Sequence, residues 1–515
     1  MQQFAGHDYF VPLVPSHIFG YPKSSLGKGT YGEVKLHDNI SELAINYGLT
    51  GKSYAIKKCR EKSMWKEIAA CYYIRSNNIN RLVAISDDGC QMSLVYDLAE
   101  CSLSSYIDEA ADSKEGLDKK LCRKFAIQLA TSLRDIHAGG VIHRDLKPDN
   151  ALLVPNEEGE LVAKWTDFGI SWVYGYRSEC DDDGVVQCYG APEVMLGRIP
   201  YTDKSDIWSF GCNLYYLFTG QKLFTDIGSY WTPVLLTLGQ PPTELTENTG
   251  FVRDIHIDSV RPSLSIRLSK FPRDVAEVIT ACVSYMPNDR PTLEWIILTL
   301  SEEHGVIQPT RVSNILVDRR LGFHGYLSSS TTSSASVIDL LYELNAGFQM
   351  TFMFTAYRLL TIYESRWGLP EPGPKLHGLH AASLEIAATM NGRWANLDDI
   401  DGLKVSDVPW GRTSLVKVIG GEFAPATSYH YLTETDYYKS IRSRSTRIYT
   451  INLLLLLLAS GMGKRYNDQY LSMIVTKQCS LVPKDTIVWY LNEIKEHHIW
   501  VTMDMNYDTV VSHWD

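Results

Sequence analysis

The stretch LGKGTYGEV, residues 26–34, sets Gly27, Gly29 and Gly32 at the spacing G-x-G-x-x-G. Such a loop lets backbone N–H groups approach phosphate oxygens, because no side chain stands in the way. The same spacing also opens dinucleotide-binding units and arises by chance in glycine-containing loops. What lies downstream decides between these readings. Lys57 follows in YAIKK, and a strand lysine taken alone is most often solvated. Then VIHRDLKPDN, residues 141–150, supplies Asp145, Lys147 and Asn150, and TDFGI, residues 166–170, supplies Asp167. APE at 191–193, SDIWSFGC at 205–212 and Arg290 in PNDRPT complete the series.

The elements that must position these groups can be read from hydrophobic periodicity. Residues 20–100 alternate glycine-rich turns with short apolar runs such as YAIKKC and MSLVYDL, which predicts a small antiparallel sheet with one helix near 62–75. From about 118 to 300 the period is helical, and DKKLCRKFAIQLATSLRDIHAGG ends on a Gly-Gly stop. A serine and threonine run, SSSTTSSAS at 328–336, reads as a flexible connection. Beyond it VIDLLYELNAGFQMTFMFTAYRLLTIY and LHGLHAASLEIAATM predict consecutive packed helices, and the pattern resumes at 451–460 and 485–497.

Composition narrows the class. A chain of 515 residues exceeds what one core usually organises, so two domains are expected. Hydrophobic content of 45% and charged content of 21% are those of globular protein. The net charge of −11 argues against coating nucleic acid, which takes lysine and arginine to displace counterions. The start MQQFAGHDYF has no basic and apolar signal pattern, and INLLLLLLAS at 451–460 is half the length of a bilayer span. Ten cysteines without a C-x-x-C pair fit reduced thiols, most of them small core residues. The expectation is an intracellular protein of cytoplasm or nucleus with no membrane association.

The glycine loop, YAIKK, VIHRDLKPDN, TDFGI and APE stand in the order of the protein-kinase signature, so residues 20–303 resemble eukaryotic protein kinases. The resemblance implies an α+β bilobal fold and phosphoryl transfer from ATP with Mg²⁺, chemistry that consists mainly of positioning and charge neutralisation. By that resemblance Leu26, Gly27, Lys28, Gly29, Thr30, Gly32 and Val34 would surround the nucleotide, and Lys57 would hold its α- and β-phosphates. Glu67 is expected to orient Lys57, with Glu61 the alternative. Backbone groups of Asp97 and Ala99 would hold the adenine, after a gatekeeper at Tyr96. Asp167 and Asn150 would bind metal, Asp145 would take or orient the substrate hydroxyl proton, and Lys147 would neutralise the transferring phosphoryl group. A lysine at 147 is a mark of serine/threonine kinases.

GKGTYGEV, LTLGQPPTE at 236–244 and APEVMLG are similar to segments of cyclin-dependent kinases. Residues 337–515 in turn resemble a cyclin box in two repeats, about 337–410 and 411–515, with Asp339 at the recurrent aspartate. SLVKVIGGEFAPATSYHYLTE resembles the join between the repeats. The implied organisation is an N-terminal extension 1–19, a kinase domain 20–303, a linker 304–336 and an all-α cyclin-like domain acting on the kinase in the same chain. Tethering would replace association by a local concentration of roughly millimolar. The alternatives are a kinase with an unrelated helical regulatory domain and a catalytically weak scaffold.

Departures from the resemblance bear on regulation. Gln349 and Asn391 stand where cyclins carry their gripping lysine and glutamate, and the docking patch is SSAS. The threonine usually phosphorylated in the activation segment falls at Asp181, whose carboxylate could pair with Arg144 and Lys66 or could lie in a solvated acidic loop. Val186 and Gly190 replace residues linked to proline-directed specificity. Thr30 and Tyr31 coincide with inhibitory phosphorylation sites, and KSIRSRSTR at 439–447 reads as a solvated basic loop.

Overall fold

The computed structural model describes residues 11–29, 32–40, 42–74, 76–89, 91–112, 118–156, 158–173, 189–195, 201–224, 268–301, 351–371, 373–391, 408–425, 427–433, 435–442, 450, 454, 471–472 and 475–476. The chain forms two compact units, the main body of the second lying beyond residue 312.

The first unit opens with the expected sheet. Strands β1 (Leu13–Pro15), β2 (Ser24–Gly29), β3 (Gly32–Asp38), β4 (Ser53–Cys59), β5 (Leu82–Asp87) and β6 (Met92–Asp97) lie in the order β1-β5-β6-β4-β3-β2. The β2–β3, β3–β4 and β4–β6 ladders are antiparallel. Alternation along β4 and β6 puts Tyr54, Ile56 and Val95 on one face, where they pack with Val14, Ile18, Phe19 and Leu49. That core fixes the outer face and turns Ala55, Lys57, Leu94 and Tyr96 to the other. Helix α1 (Glu61–Tyr73) joins β4 to β5 and carries Trp65, Lys66, Glu67 and Ile68 all buried. A helix buried on several faces has charged groups that need partners inside the protein.

The helical lobe runs through α2 (Leu103–Asp112), α3 (Lys119–Ala138), α4 (Pro192–Met195), α5 (Asp203–Thr219), α6 (Arg273–Cys282) and α7 (Leu293–Leu300). Asp118 caps α3 by accepting from the Lys120 N–H at 2.8 Å. Gly140 leaves the helix at φ 70°, a conformation that costs glycine nothing. α5 is buried along nearly all its length.

One expectation is corrected in this lobe. The region from 118 to 300 is not wholly helical: β9 (Ala151–Pro155) and β10 (Leu161–Trp165) form a hairpin that β7 (Cys101–Ser102) extends, and β8 (Val141–Ile142) pairs with β11 (Trp172–Val173). The hairpin turns at Asn156–Gly159, where Gly159 sits at φ 79° and the Asn156 side chain accepts from the Glu160 N–H at 2.8 Å. These pairings leave HRDLK, residues 143–147, and TDFGI in the connections between strands.

Beyond residue 312 the named elements among the described residues are helices: α8 (Thr351–Trp367), α9 (Pro374–Met390), α10 (Val408–Ile419), α11 (Ser428–Thr433) and α12 (Asp436–Ser440). A Cβ on Gly411 would lie 2.0 Å from the Gly378 carbonyl oxygen, so α9 and α10 meet backbone to backbone. Tyr363 and Ser414 share a 2.6 Å hydrogen bond, and Arg412–Glu385 and Arg366–Glu422 pair at 2.8 and 2.7 Å. Asn391 donates to the Ala387 carbonyl at 2.7 Å and so closes the end of α9. The linker 304–336, Asp339, Gln349, the 236–244 segment, nearly all of 451–460 and the whole of 485–497 lie outside the described residues. Among the described residues no helix is long and apolar enough to cross a membrane.

Candidate active site

The glycine segment is a hairpin. β2 and β3 pair with Gly27 opposite Val34 and Gly29 opposite Gly32, and the register shifts between Ser25 and Gly27 so that Leu26 bulges outward, 48% exposed. The three glycines answer to different demands. A Cβ on Gly32 would come within 2.3 Å of the Lys58 carbonyl oxygen of β4, so glycine there serves strand packing. Among the described residues a Cβ on Gly27 or Gly29 meets no heavy atom within 4 Å, so those positions keep open a backbone surface that a phosphate could reach. Thr30 and Tyr31 lie outside the described residues.

On the inward face of β4, Lys57 Nζ donates to Glu67 Oε2 at 2.6 Å and to Asp167 Oδ1 at 2.8 Å. The partner is thus Glu67; the side chain of Glu61 lies outside the described residues. Burial alone would lower the pKa of Lys57, but Glu67 and Asp167 outweigh it and hold the ammonium above its ordinary range. Burial likewise pushes the Glu67 carboxyl up, against the pull of Lys57. For Asp167 the burial penalty is overcome by the charge and hydrogen bond of Lys57, leaving its pKa lowered. Tyr96 donates its hydroxyl to the second oxygen of Glu67 at 2.5 Å.

Loop residues 143–150 form the other wall. Asp145 Oδ2 accepts from Lys147 Nζ at 2.7 Å and from Asn150 Nδ2 at 2.8 Å, and the same amide nitrogen reaches the Asp145 carbonyl at 2.8 Å. Among the described residues Asp145 Oδ1 is buried without a hydrogen-bond partner, an acceptor left unsatisfied. Committing the Asn150 amide nitrogen to Asp145 leaves its amide oxygen as the group it can offer to a hard cation. Two oxygen donors, from Asn150 and Asp167, suit Mg²⁺, which keeps several waters and takes phosphate oxygens besides. The residues present therefore fit ATP and Mg²⁺.

The loop holds its shape against backbone strain. Arg144 and Asp167 adopt φ of 72° and 64°, the left-handed region that side chains disfavour. Buried Asp206 of α5 accepts from the backbone N–H groups of His143 and Arg144 at 2.8 and 2.9 Å, and pairs with His137 Nε2 at 2.9 Å. Tyr201 donates to the Arg144 carbonyl at 3.1 Å. The Arg144 guanidinium donates to the Ile170 carbonyl at 2.9 Å and lies 4.0 Å from the Trp172 ring centre. Asp181 and Val186 lie outside the described residues, while Gly190 is buried.

The residue types of SDIWSFGC alone do not assign Asp206 this task; the signal is a carboxylate at the start of the apolar run IWSFGC, because such a group when buried must be satisfied internally. Far apart in the sequence, APE and Arg290 also meet: Arg290 grips Glu193 through two 2.7 Å hydrogen bonds, with Ser205 donating to the same carboxylate at 2.9 Å. At the far edge, β6 ends at Asp97, which is exposed, and half-buried Ala99 lies in the connection to β7. Val34 is half-buried opposite Lys57. Lys28 is exposed on β2.

The chain matches the family model described as Protein kinase domain over residues 22–299. It is similar to human Cyclin-dependent kinase-like 2, 26% identical over 283 residues, which are 52% of this chain and 54% of that protein. The chain thus spans about half the length of that curated relative. The sheet lobe and helical lobe, the lysine–carboxylate chain and the loop built on Asp145 all fall within the matched residues, and the chain belongs to the protein kinase family.

Proposed function

We propose that the chain transfers the γ-phosphate of ATP to serine or threonine hydroxyls of protein substrates. The observation that carries this reading is Asp145, held by Lys147 and Asn150 through one oxygen while the other has no hydrogen-bond partner among the described residues. An incoming hydroxyl would donate to Oδ1, which orients its oxygen for in-line attack and gives the proton an acceptor. Lys147 would balance negative charge on the transferring group. Lys57, braced by Glu67, would fix the α- and β-phosphates beneath Gly27 and Gly29, with Leu26, Lys28, Thr30, Gly32 and Val34 completing the roof. Backbone groups of Asp97 and Ala99 would hold the adenine. Asp167 and Asn150 would hold Mg²⁺, which when bound neutralises phosphate charge.

The domain plan proposed with it is a kinase domain 20–303, a linker 304–336 and a cyclin-like domain 337–515 that activates the kinase in cis. The helices α8 to α12 among the described residues and the similarity to a cyclin-dependent kinase-like protein support that plan. Chain made in bacteria, residues 1–515, should phosphorylate a generic serine/threonine substrate, and Asp145→Asn should abolish the transfer while retaining ATP binding. Folded residues 1–303 should be nearly silent. Equal activity in the long and short forms would refute activation in cis, and wild-type levels in Asp145→Asn would refute the assignment of the site.

A further inference from the structure

Glu67 makes two bonds where the lysine pairing needs one. The β4–β6 register sets Ala55 opposite Tyr96 and Lys57 opposite Leu94, so Lys57 and Tyr96 are diagonal neighbours on one face of the sheet. Glu67 descends from α1 between them and divides its oxygens: Oε2 accepts from Lys57 at 2.6 Å, and Oε1 from the Tyr96 hydroxyl at 2.5 Å. Tyr96 is 4% exposed and Glu67 1%, so neither group has water as a ready substitute. Cys59 Sγ of β4 also lies against the carboxylate, 3.9 Å from Oε2, and the Asp167 charge acts on that carboxylate as well. Burial and the Glu67 charge push the Tyr96 hydroxyl's pKa well up, which keeps it a donor.

A phenyl ring would fill the same apolar space, so the hydroxyl is what distinguishes this position. It has one acceptor, and that acceptor belongs to the helix whose position decides whether Lys57 is oriented. We propose that Tyr96 is a positioning residue whose hydroxyl clamps Glu67, so that α1 is fastened in its lysine-pairing place by two strands of the unit's own sheet. The inference deepens the kinase reading and rests on it. Without the hydroxyl, Oε1 becomes a buried acceptor with nothing to accept from, and the carboxylate gains by turning away. Lys57 then loses its fixed partner, and the effect falls on ATP rather than on the protein substrate.

The test compares full-length wild type with Tyr96→Phe, Glu67→Gln and the double variant. In Tyr96→Phe, kcat/KM for ATP should fall about tenfold, on the scale of a hydrogen bond to a charged group, while KM for the protein substrate holds. Hydrogen exchange of the α1 amides should quicken, with β4 and β6 amides unchanged. In the Glu67→Gln background the same substitution should cost less than twofold, because the hydroxyl acts through that carboxylate. Wild-type kinetics and exchange in Tyr96→Phe, or an equal loss with and without Glu67, would overturn the clamp. A wild-type chain that transfers no phosphate would sink the kinase reading, and the α1 exchange comparison would still decide the clamp.

Discussion

Replacing Asp206 by asparagine should disable the active site from beneath without touching any group proposed to meet substrate. Asp206 is fully buried, and its oxygens accept from two backbone N–H groups and from His137. Asparagine keeps the shape but turns one oxygen into a donor, so one of the N–H groups of His143 and Arg144 faces another donor. An orphaned buried backbone group costs about 1–3 kcal/mol. The same N–H bonds hold Arg144 at φ 72°, a conformation that costs roughly 1–3 kcal/mol and persists only when its surroundings enforce it. Relaxation of that residue relieves strain but carries the next one, Asp145, with it. The expected result is a stability loss of roughly 2–3 kcal/mol and a fall in kcat of about a hundredfold, the order of effect when a catalytic group is misplaced by about 1 Å. KM for ATP should stay within about threefold, since the Lys57–Glu67 pair sits on the sheet lobe. Steady-state kinetics and denaturant unfolding of the full chain measure both quantities. A variant that loses the stability yet keeps wild-type kcat would refute the link from Asp206 through Arg144 to Asp145.

Other perturbations separate roles that the sequence motif runs together. Gly27→Ala and Gly29→Ala should unfold like wild type and raise KM for ATP, because their methyl groups enter open space, whereas Gly32→Ala should lose about 1–3 kcal/mol of stability as its methyl meets the Lys58 carbonyl. Equal stability in all three variants would contradict that division. In the second unit, His380 is 2% exposed, both its ring nitrogens are buried without partners among the described residues, and burial, aided by His377, lowers its pKa to about 4. An unfolded histidine titrates near 6.5, so between these values the unfolded chain binds more protons and stability rises with pH. The contribution is complete above about pH 6.5 and is lost as the pH falls through about 4, some 3 kcal/mol in all. His380→Leu should flatten this part of the acid-unfolding curve, and parallel curves for variant and wild type would remove His380 as its source.

Legibility in the sequence followed what each residue acts upon. Gly27, Lys57, Asp145, Asn150 and Asp167 could be picked out because the roles proposed for them, toward phosphate, metal and hydroxyl, allow few residue types and require them in short runs. Glu67 could be chosen because α1 offers few carboxylates to meet Lys57. The β9–β10 hairpin was readable in principle, since ALLVP and LVAKW alternate around a turn ending in Gly159, but its short apolar runs were absorbed into a helical region. Three-dimensional convergence was not readable at all. Nothing in MSLVYDL says that the Tyr96 hydroxyl meets α1, and nothing in SDIWSFGC says that Asp206 meets the backbone of residues 143 and 144.

That division has a physical basis. Groups that touch substrate face a ligand of fixed chemistry, so their identity is dictated locally. Groups that hold the backbone need only present an acceptor or donor at the right place, and the place is set by elements far away in the chain. Asp206 and Tyr96 share this second character: each is a buried polar group, and each bonds a residue adjacent to, or paired with, one proposed to act. In a low-dielectric interior such a group is costly unless its partner is fixed. A polar residue buried in an apolar run therefore marks where a site is braced. In this chain both braces converge on its two charged centres, Asp206 on the Asp145 loop and Tyr96 on the Lys57 pair.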